Sequence, residues 1–217
     1  MSKKIVSGLL FSALLASMPI AVPFSAGIAA EETIVSQAEV GKKAPDFTLN
    51  DINGKSVKLD SFRGKFVVLE WFNDQCPFVQ KHYKSDNMQA LQKEYTGKGV
   101  VWLTICSSAQ GKPGSHTADE YKKILSEYNA EPTHFLVDAD GKVGRLYGAK
   151  TTPDMFVISK TGKVEYSGAI DDKPVPDPDS IKTAKNYVRE ALDQALSGKS
   201  IATRTTKSYG CSVKYSG

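Results

Sequence analysis

The chain has 217 residues, of which 41% are hydrophobic and 24% are charged, and its formal net charge at pH 7 is +4. These values are typical of a soluble globular protein with one domain and short appendages, and they exclude a coiled coil, a collagen-like repeat and general disorder. Because the net charge is small and the basic residues are dispersed, we expect no nucleic-acid partner and no electrostatic binding to a membrane surface.

The N-terminal segment has the pattern of a targeting sequence. Lys3 and Lys4 provide a positive start, and an apolar run without a charge follows over 5–18. Prolines and small residues then supply cleavage positions, so we predict a signal peptide over 1–30 and a periplasmic or secreted protein. A transmembrane anchor is the alternative, but the run is short for a span. Cleavage would leave no stable membrane association and a polar lead-in over 31–44.

Strands and helices alternate from residue 45 onward. The predicted strands are a hairpin over 47–59 with its turn at Asn53-Gly54, buried strands at 65–72 and 100–106, a strand at 134–137 followed by a turn at 138–141, and a hairpin formed by 155–159 and 163–166. The predicted helices are 77–95, 117–128 with a capping box, and 180–196. A polar tail follows the last helix. This order predicts an α/β or α+β protein built on a sheet.

Three cysteines carry most of the chemical information: Cys76, Cys106 and Cys211. Export would place them where a disulfide can persist, but their odd number leaves at least one thiol free or paired with another molecule. Cys106 ends an apolar strand, which favours packing in the core. No cysteine and histidine have the spacing of a zinc site, so we predict no metal.

Cys76 lies between a buried strand and a predicted helix that begins at Pro77. The first turn of a helix presents unpaired N–H groups and the positive end of the helix dipole, which stabilise a thiolate. We therefore expect a lowered pKa for Cys76, and the thiolate is the species that reacts in thiol–disulfide exchange. A small, unreactive core cysteine is the alternative.

Two segments resemble the thioredoxin superfamily. Glu70-Trp-Phe-Asn-Asp-Gln-Cys-Pro77 is similar to its active-site strand and turn, and Thr152-Pro153-Asp-Met-Phe-Val-Ile158 is similar to its cis-proline segment. A narrower resemblance is to the alkyl hydroperoxide reductase/thiol-specific antioxidant (AhpC/TSA) branch, which includes peroxiredoxin-like redoxins. The segments that carry it are 44–49, the hairpin lysine after Gly54, 62–65, 135–141 and the terminal Gly-Cys-Ser-Val-Lys-Tyr.

The resemblance implies a thioredoxin-like fold with a central mixed sheet and an N-terminal hairpin. It assigns this domain to 45–168 and leaves 169–217 as a loop, a helix and a cysteine-containing tail. It also implies that Cys76 is the reactive thiol, that the Thr152–Pro153 bond is cis, and that the Thr152 backbone binds the substrate chain. In the superfamily, the position of Glu70 holds a buried acid that assists proton transfer.

Two departures from the family patterns affect the expected chemistry. Val79 replaces the second cysteine of Cys-x-x-Cys, so the compact internal disulfide cannot form. The peroxiredoxin signature is also absent, because Leu69 stands where its proline would be and Asn73 where its hydroxyl residue would be. Asn73 could donate a hydrogen bond to a peroxide, and the substrate stays open between a disulfide and a hydroperoxide.

A site with one cysteine needs a second thiol to release a mixed disulfide or a sulfenic acid. Cys211 is the candidate, because it lies in a polar, Gly-flanked tail that is long enough to reach Cys76. A permanent Cys76–Cys211 disulfide that only holds the tail in place is the alternative.

Four charged or titratable residues complete the list of candidates. Glu70 is either a buried proton shuttle or a carboxylate at a strand edge that reaches water or a lysine. Lys81 and His82 follow Cys76 on the predicted helix, and we expect a solvated face for both. Arg145 could steady a thiolate if the fold brings it close.

We therefore predict an exported thiol-dependent oxidoreductase in which Cys76 attacks the substrate and Cys211 resolves the intermediate. Sulfur carries the electrons, so no cofactor is implied. The expected partners are a thiol/disulfide protein or a small hydroperoxide, and an unidentified thiol electron donor. The residues expected to bind the substrate are Thr152, Pro153, Asn73 and Pro77.

Two other classes of function stay open. A redox-inert binding or scaffold module could keep the fold and lose the chemistry, as Val79 suggests. A copper-handling protein would need a cysteine at the position of Gln80.

Overall fold

A seven-stranded sheet organises the part of the chain that the computed structural model describes, which is Met1 and residues 37–217. Apart from Met1, the predicted signal peptide over 1–30 lies outside the described residues, as does the first part of the lead-in. Among the residues that are described, no helix combines the length and the apolar character needed to cross a membrane.

The elements of residues 37–217 are named here in chain order. The strands are β1 (Thr48–Asp51), β2 (Ser56–Lys58), β3 (Val67–Trp71), β4 (Val101–Cys106), β5 (His134–Val137), β6 (Thr151–Thr152), β7 (Asp154–Ile158), β8 (Val164–Gly168) and β9 (Cys211–Ser212). The α-helices are α1 (Pro77–Lys84), α2 (Asn87–Gly97), α3 (Ala118–Glu127), α4 (Lys142–Tyr147) and α5 (Tyr187–Leu196), with 3-10 helices at Leu59–Phe62 and Pro178–Thr183.

The sheet is mixed and has the strand order β2-β1-β5-β4-β3-β7-β8. The central strands β3, β4 and β5 are parallel, whereas β1, β7 and β8 pair antiparallel with their neighbours. Every residue of β3 and β4 is buried, as their continuous apolar runs predict, because α1, α2, α3 and α5 cover one face and α4 with the lead-in covers the other. This architecture confirms the predicted α/β fold with an N-terminal hairpin.

The predicted helix over 77–95 is in fact two helices, α1 and α2, which meet at Ser85–Asp86. Asp86 has a φ of 57°, in the left-handed region that Asp tolerates better than most residues do. The side-chain amide of Gln89 donates to the carbonyl of Tyr83 in the last turn of α1. Helical spacing of buried residues continues on both sides of the break, so the sequence pattern does not reveal it.

Two other helices differ from the sequence-based prediction. The predicted helix over 180–196 begins as a 3-10 helix, and α5 starts only after Asn186, whose side chain accepts a hydrogen bond from the N–H of Arg189. The short helix α4 was not predicted, because six residues are too few to show a helical period.

Lys81 and His82 are buried, so the predicted solvated face is wrong for both. Their exposed fractions are 1% and 0%. The segment between β8 and α5, together with the C-terminal tail, covers this face of α1, and Asp171 and Tyr209 supply the polar partners. Contacts between segments so distant in sequence leave no trace in the local pattern around Lys81.

The tail packs along the domain before it reaches β9. The Thr206 hydroxyl lies 2.6 Å from the hydroxyl of Tyr166 and accepts a hydrogen bond from the Ala169 N–H at 2.9 Å. The backbone of Thr206 passes so close to Gly168 that a Cβ at Gly168 would overlap it. Further along, β9 pairs antiparallel with β6.

Candidate active site

Cys76 is the N-cap residue of α1. Its φ and ψ of −84° and 120° are extended, as that position requires, and Pro77 occupies the first turn. The Cys76 carbonyl accepts hydrogen bonds from the N–H groups of Val79 and Gln80, both at 2.9 Å. The structure thus places Cys76 at the helix start that the sequence predicts, with only 1% of the residue exposed.

Two segments that are distant in sequence meet at the sulfur of Cys76. Its Sγ lies 3.0 Å from the carbonyl oxygen of Thr152, and the peptide bond between Thr152 and Pro153 is cis. The pairing of β9 with β6 places Cys211 directly opposite Thr152. The fold therefore brings Cys76 to the Thr152–Pro153 segment, as the resemblance implies, and places the tail residue Cys211 beside them.

Hydrogen bonds give the two thiols different acidities. Burial raises the pKa of Cys76, but hydrogen bonds from the side chain and backbone of Cys211, from Thr152 and from the Val79 backbone outweigh it, so the net pKa lies below its ordinary value. Burial and the hydrogen bond to Cys76 raise the pKa of Cys211 to about 11. Cys76 is therefore the more acidic thiol of the pair.

Gly210 allows the tail to approach the cis-proline segment. Its φ is 131°, and a Cβ at this position would overlap the carbonyl oxygen of Thr152, the same atom that contacts the Cys76 sulfur. Glycine is therefore required here both for its backbone conformation and for its lack of a side chain. The sequence offered one signal, a glycine immediately before the tail cysteine, but the surface it contacts was not predictable.

Glu70 lies in the core on β3, with no exposed surface. Its carboxylate accepts hydrogen bonds from the Tyr83 hydroxyl at 2.7 Å, the Trp102 indole N–H at 2.8 Å and the Thr104 hydroxyl at 2.9 Å. Burial raises the pKa of Glu70 although these bonds oppose the shift. The alternative of a strand-edge carboxylate that reaches water or a lysine is therefore wrong.

Three other candidates lie in different surroundings. Asn73 is buried, and its side-chain amide N–H groups donate to the Pro113 carbonyl at 2.9 Å and the Ser108 hydroxyl at 3.4 Å, so the structure leaves no donor there for a peroxide. Pro77 is exposed beside Cys76. The Arg145 guanidinium donates instead to the carbonyls at Asp140 and Ser216 and lies over the Tyr215 ring.

Cys106 lies in the core, as predicted. Its thiol donates to the Gly114 carbonyl at 3.2 Å, and burial raises its pKa. Within residues 37–217 no three side chains of His, Cys, Asp or Glu are grouped in a way that could hold a metal ion.

Known proteins with similar sequences include thiol-disulfide oxidoreductases. ResA of Bacillus thuringiensis subsp. konkukian is 29% identical over 126 residues, which are 58% of this chain and 67% of that protein. ResA of Bacillus subtilis is 27% identical over 128 residues, which are 54% of this chain and 71% of that protein. Both are named as thiol-disulfide oxidoreductases, the class of enzyme predicted from the sequence.

Solved structures show the same fold. A hypothetical protein from Sinorhizobium meliloti 1021 is 26% identical, with a TM-score of 0.72 over 83% of this chain and 97% of that one. A putative thiol:disulfide interchange protein DsbE from Chlorobium tepidum is also 26% identical, with a TM-score of 0.53 over 75% of this chain and 98% of that one. A family model described as the AhpC/TSA family matches residues 40–167. Since that match spans more than half of the sequence, the chain belongs to the AhpC/TSA family and has a thioredoxin-like fold.

Proposed function

We propose that this protein is an exported thiol-disulfide oxidoreductase whose redox pair is Cys76 and Cys211. The proposal rests on one observation: β9 pairs with β6 so that Cys211 lies opposite Thr152, whose carbonyl oxygen is 3.0 Å from the sulfur of Cys76 at the start of α1. One member of such a pair can attack a disulfide as the thiolate, the species that reacts in thiol–disulfide exchange, and the other can then resolve the mixed disulfide.

The reduced protein would transfer two electrons to a substrate disulfide in two exchanges. In the first, the Cys76 thiolate attacks one substrate sulfur, a Cys76–substrate disulfide forms, the substrate S–S bond breaks, and the other substrate thiolate leaves and takes up a proton. In the second, Cys211 loses its proton and attacks the Cys76 sulfur, so the Cys76–Cys211 disulfide forms and the remaining substrate thiol is released. An external thiol donor then restores both thiols by the same exchange.

The strand β9 occupies the backbone edge that the resemblance assigns to the substrate chain. Cys211 lies opposite Thr152, and the Thr152 carbonyl contacts the Cys76 sulfur. A substrate chain would therefore bind while the tail is displaced, and the returning tail would bring Cys211 to the same side of Cys76. In the resolving step, Cys211 would thus approach Cys76 from the side that the substrate chain had occupied.

Disulfides are the proposed substrate in preference to hydroperoxides. Reduction of a peroxide needs hydrogen-bond donors aimed at its oxygens, and the amide of Asn73 already donates to Ser108 and Pro113. We propose that Pro77 and the backbone of Thr152–Pro153 border the substrate. Glu70 is proposed as a proton carrier, because burial raises its pKa and it lies on β3, the strand that precedes Cys76.

A single-turnover experiment tests the proposal. The reduced protein is mixed with oxidised glutathione, and released glutathione and protein adducts are followed by mass spectrometry. We expect the wild type to release two glutathiones and form the Cys76–Cys211 disulfide, and Cys211→Ser to release one and keep the other on Cys76. A Cys211→Ser protein that carries its adduct on Cys106, or none at all, would contradict the proposal.

A further inference from the structure

The tail is attached to the domain at Tyr209, two residues before Cys211. The Tyr209 hydroxyl donates to the carboxylate of Asp171. The same hydroxyl lies 3.2 Å from Lys81 Nζ and 3.2 Å from His82 Nε2. One tail oxygen is therefore held by three buried polar side chains, which we call the Tyr209 anchor.

The Tyr209 anchor contains two charged side chains, Lys81 and Asp171, that are removed from water. Lys81 and Asp171 are each 1% exposed, and Lys81 Nζ lies 3.2 Å from Asp171 Oδ2 and 2.6 Å from the Lys173 carbonyl. Removing two charges from water is costly, and well-packed apolar residues often replace such a pair without loss of stability. In some proteins such a buried pair fixes one specific arrangement of the segments around it.

The anchor joins the two elements that carry the thiols. Lys81 and His82 belong to α1, the helix that begins after Cys76, and the Tyr209 ring packs edge-on against Phe78 of the same helix with centroids 5.7 Å apart. Only Gly210 separates Tyr209 from Cys211. A shift of Tyr209 along α1 would therefore move Cys211 relative to the Cys76 sulfur.

We propose that Lys81, His82 and Asp171 are positioning residues, which hold Tyr209 and so fix Cys211 against Cys76 during the resolving step. This inference rests on the proposed function. A tail that must find its place in each cycle loses conformational entropy at the reacting sulfur, whereas a tail already bound at Tyr209 has lost most of it beforehand. The anchor therefore raises the effective concentration of the Cys211 thiol at Cys76.

The variant Tyr209→Phe tests the anchor because it removes a single oxygen atom. Release of the second glutathione in the single-turnover experiment should slow about tenfold, the effect of losing one hydrogen bond to a charged group. Release of the first glutathione should change much less, because Cys211 forms no bond in that step. The matched control is Tyr95→Phe, which removes a tyrosine hydroxyl that donates to Asp193 on α5 at 2.8 Å, and both steps should stay at the wild-type rate.

A double-mutant cycle shows whether Tyr209 acts through the buried charges. Asp171→Asn should also slow the second step, and adding Tyr209→Phe to it should slow that step little further, because both changes break the same contact. Should Asp171→Asn fail to fold, the comparison of Tyr209→Phe with Tyr95→Phe decides alone. A second step in Tyr209→Phe that is as fast as in Tyr95→Phe would overturn the anchor. Failure of the wild type to release a second glutathione would instead overturn the proposed redox pair.

Discussion

Cys76 and Cys106 are each only 1% exposed, Cys106 ends β4 and Cys76 follows the neighbouring parallel strand β3, yet the pKa values of the two thiols shift in opposite directions. Burial raises the pKa of both thiols. At Cys76, donors from Cys211, Thr152 and Val79 outweigh burial, whereas at Cys106 the hydrogen bonds with Tyr121 and Ser108 do not.

The difference between the two thiols lies in what surrounds them after folding. Cys106 contacts residues of the loop that directly follows its own strand, such as Gly114. Cys76 receives its strongest opposing bonds from Cys211, at the other end of the chain. A position after a buried strand is therefore not enough to lower the pKa of a thiol, and at Cys76 the tail supplies further hydrogen bonds.

Substitution of each cysteine by serine should give the largest difference in activity between the two positions. Cys76→Ser should reduce the rate of disulfide reduction by more than about 100-fold, because a serine hydroxyl is not a nucleophile at neutral pH without a general base. Cys106→Ser should retain the wild-type rate, since its hydroxyl can still donate to the Gly114 carbonyl. The measurement is reduction of oxidised glutathione with excess thiol donor, and equal losses in both variants would refute the contrast.

Gly210→Ala should release the tail from the active site. The new Cβ would overlap the Thr152 carbonyl, so the pairing of β9 with β6 should break. We expect hydrogen exchange of the amides in 205–217 to accelerate about tenfold or more. The control is Gly198→Ala, at a glycine with a φ of 74° and no neighbouring atoms within 4 Å, which strains the backbone without this overlap. Equal exchange in the two variants would show that the tail is not held at Thr152.

Substitution of Cys211 should reduce the acidity of Cys76. Cys211→Ala removes the side-chain hydrogen bond that lowers the pKa of Cys76, whereas Cys211→Ser keeps a donor. The pKa of Cys76 should therefore be higher in the alanine variant than in the serine variant, as measured by the ultraviolet absorbance of the thiolate against pH. Cys106→Ser should be present in both proteins so that one thiol titrates. The same pKa in both variants would exclude the Cys211 side chain as a cause.

Asp154 extends the comparison to a buried group whose hydrogen bonds do not outweigh burial, and we expect its effect on activity to be the smallest. Burial raises its pKa to about 7, whereas a value of 3.8 applies when it is unfolded. Between these values the folded state keeps a proton that the unfolded state has lost, so raising the pH from about 4 to about 7 should reduce the free energy of unfolding. In the wild type, this decrease in the free energy of unfolding should be on the order of 1–4 kcal/mol, and it should be absent in Asp154→Asn. The measurement is urea unfolding of both proteins at several pH values. Parallel pH profiles for the two proteins would contradict the raised pKa.

The strands and the position of Cys76 were predictable because their causes are local. The apolar runs of β3 and β4 indicate strands buried on both faces, and Pro77 marks the helix start. The burial of Lys81 and the role of Gly210 were not predictable, since their partners, Tyr209 and Thr152, are far away in the sequence. The tail cysteine could be proposed as a resolving thiol from its neighbours in the sequence, but its contact with Thr152 depends on the completed fold.

Mass mapping of disulfides under controlled redox conditions tests the central claim most directly. Protein purified without reductant is treated with a thiol-trapping reagent, and the mapping is repeated after mild reduction and after reoxidation with oxidised glutathione. We predict a Cys76–Cys211 disulfide that breaks on reduction and forms again on reoxidation, with Cys106 trapped as a free thiol throughout. A Cys76 that stays a free and slowly alkylated thiol under all three conditions would contradict the redox pair and favour a binding module on a thioredoxin-like fold.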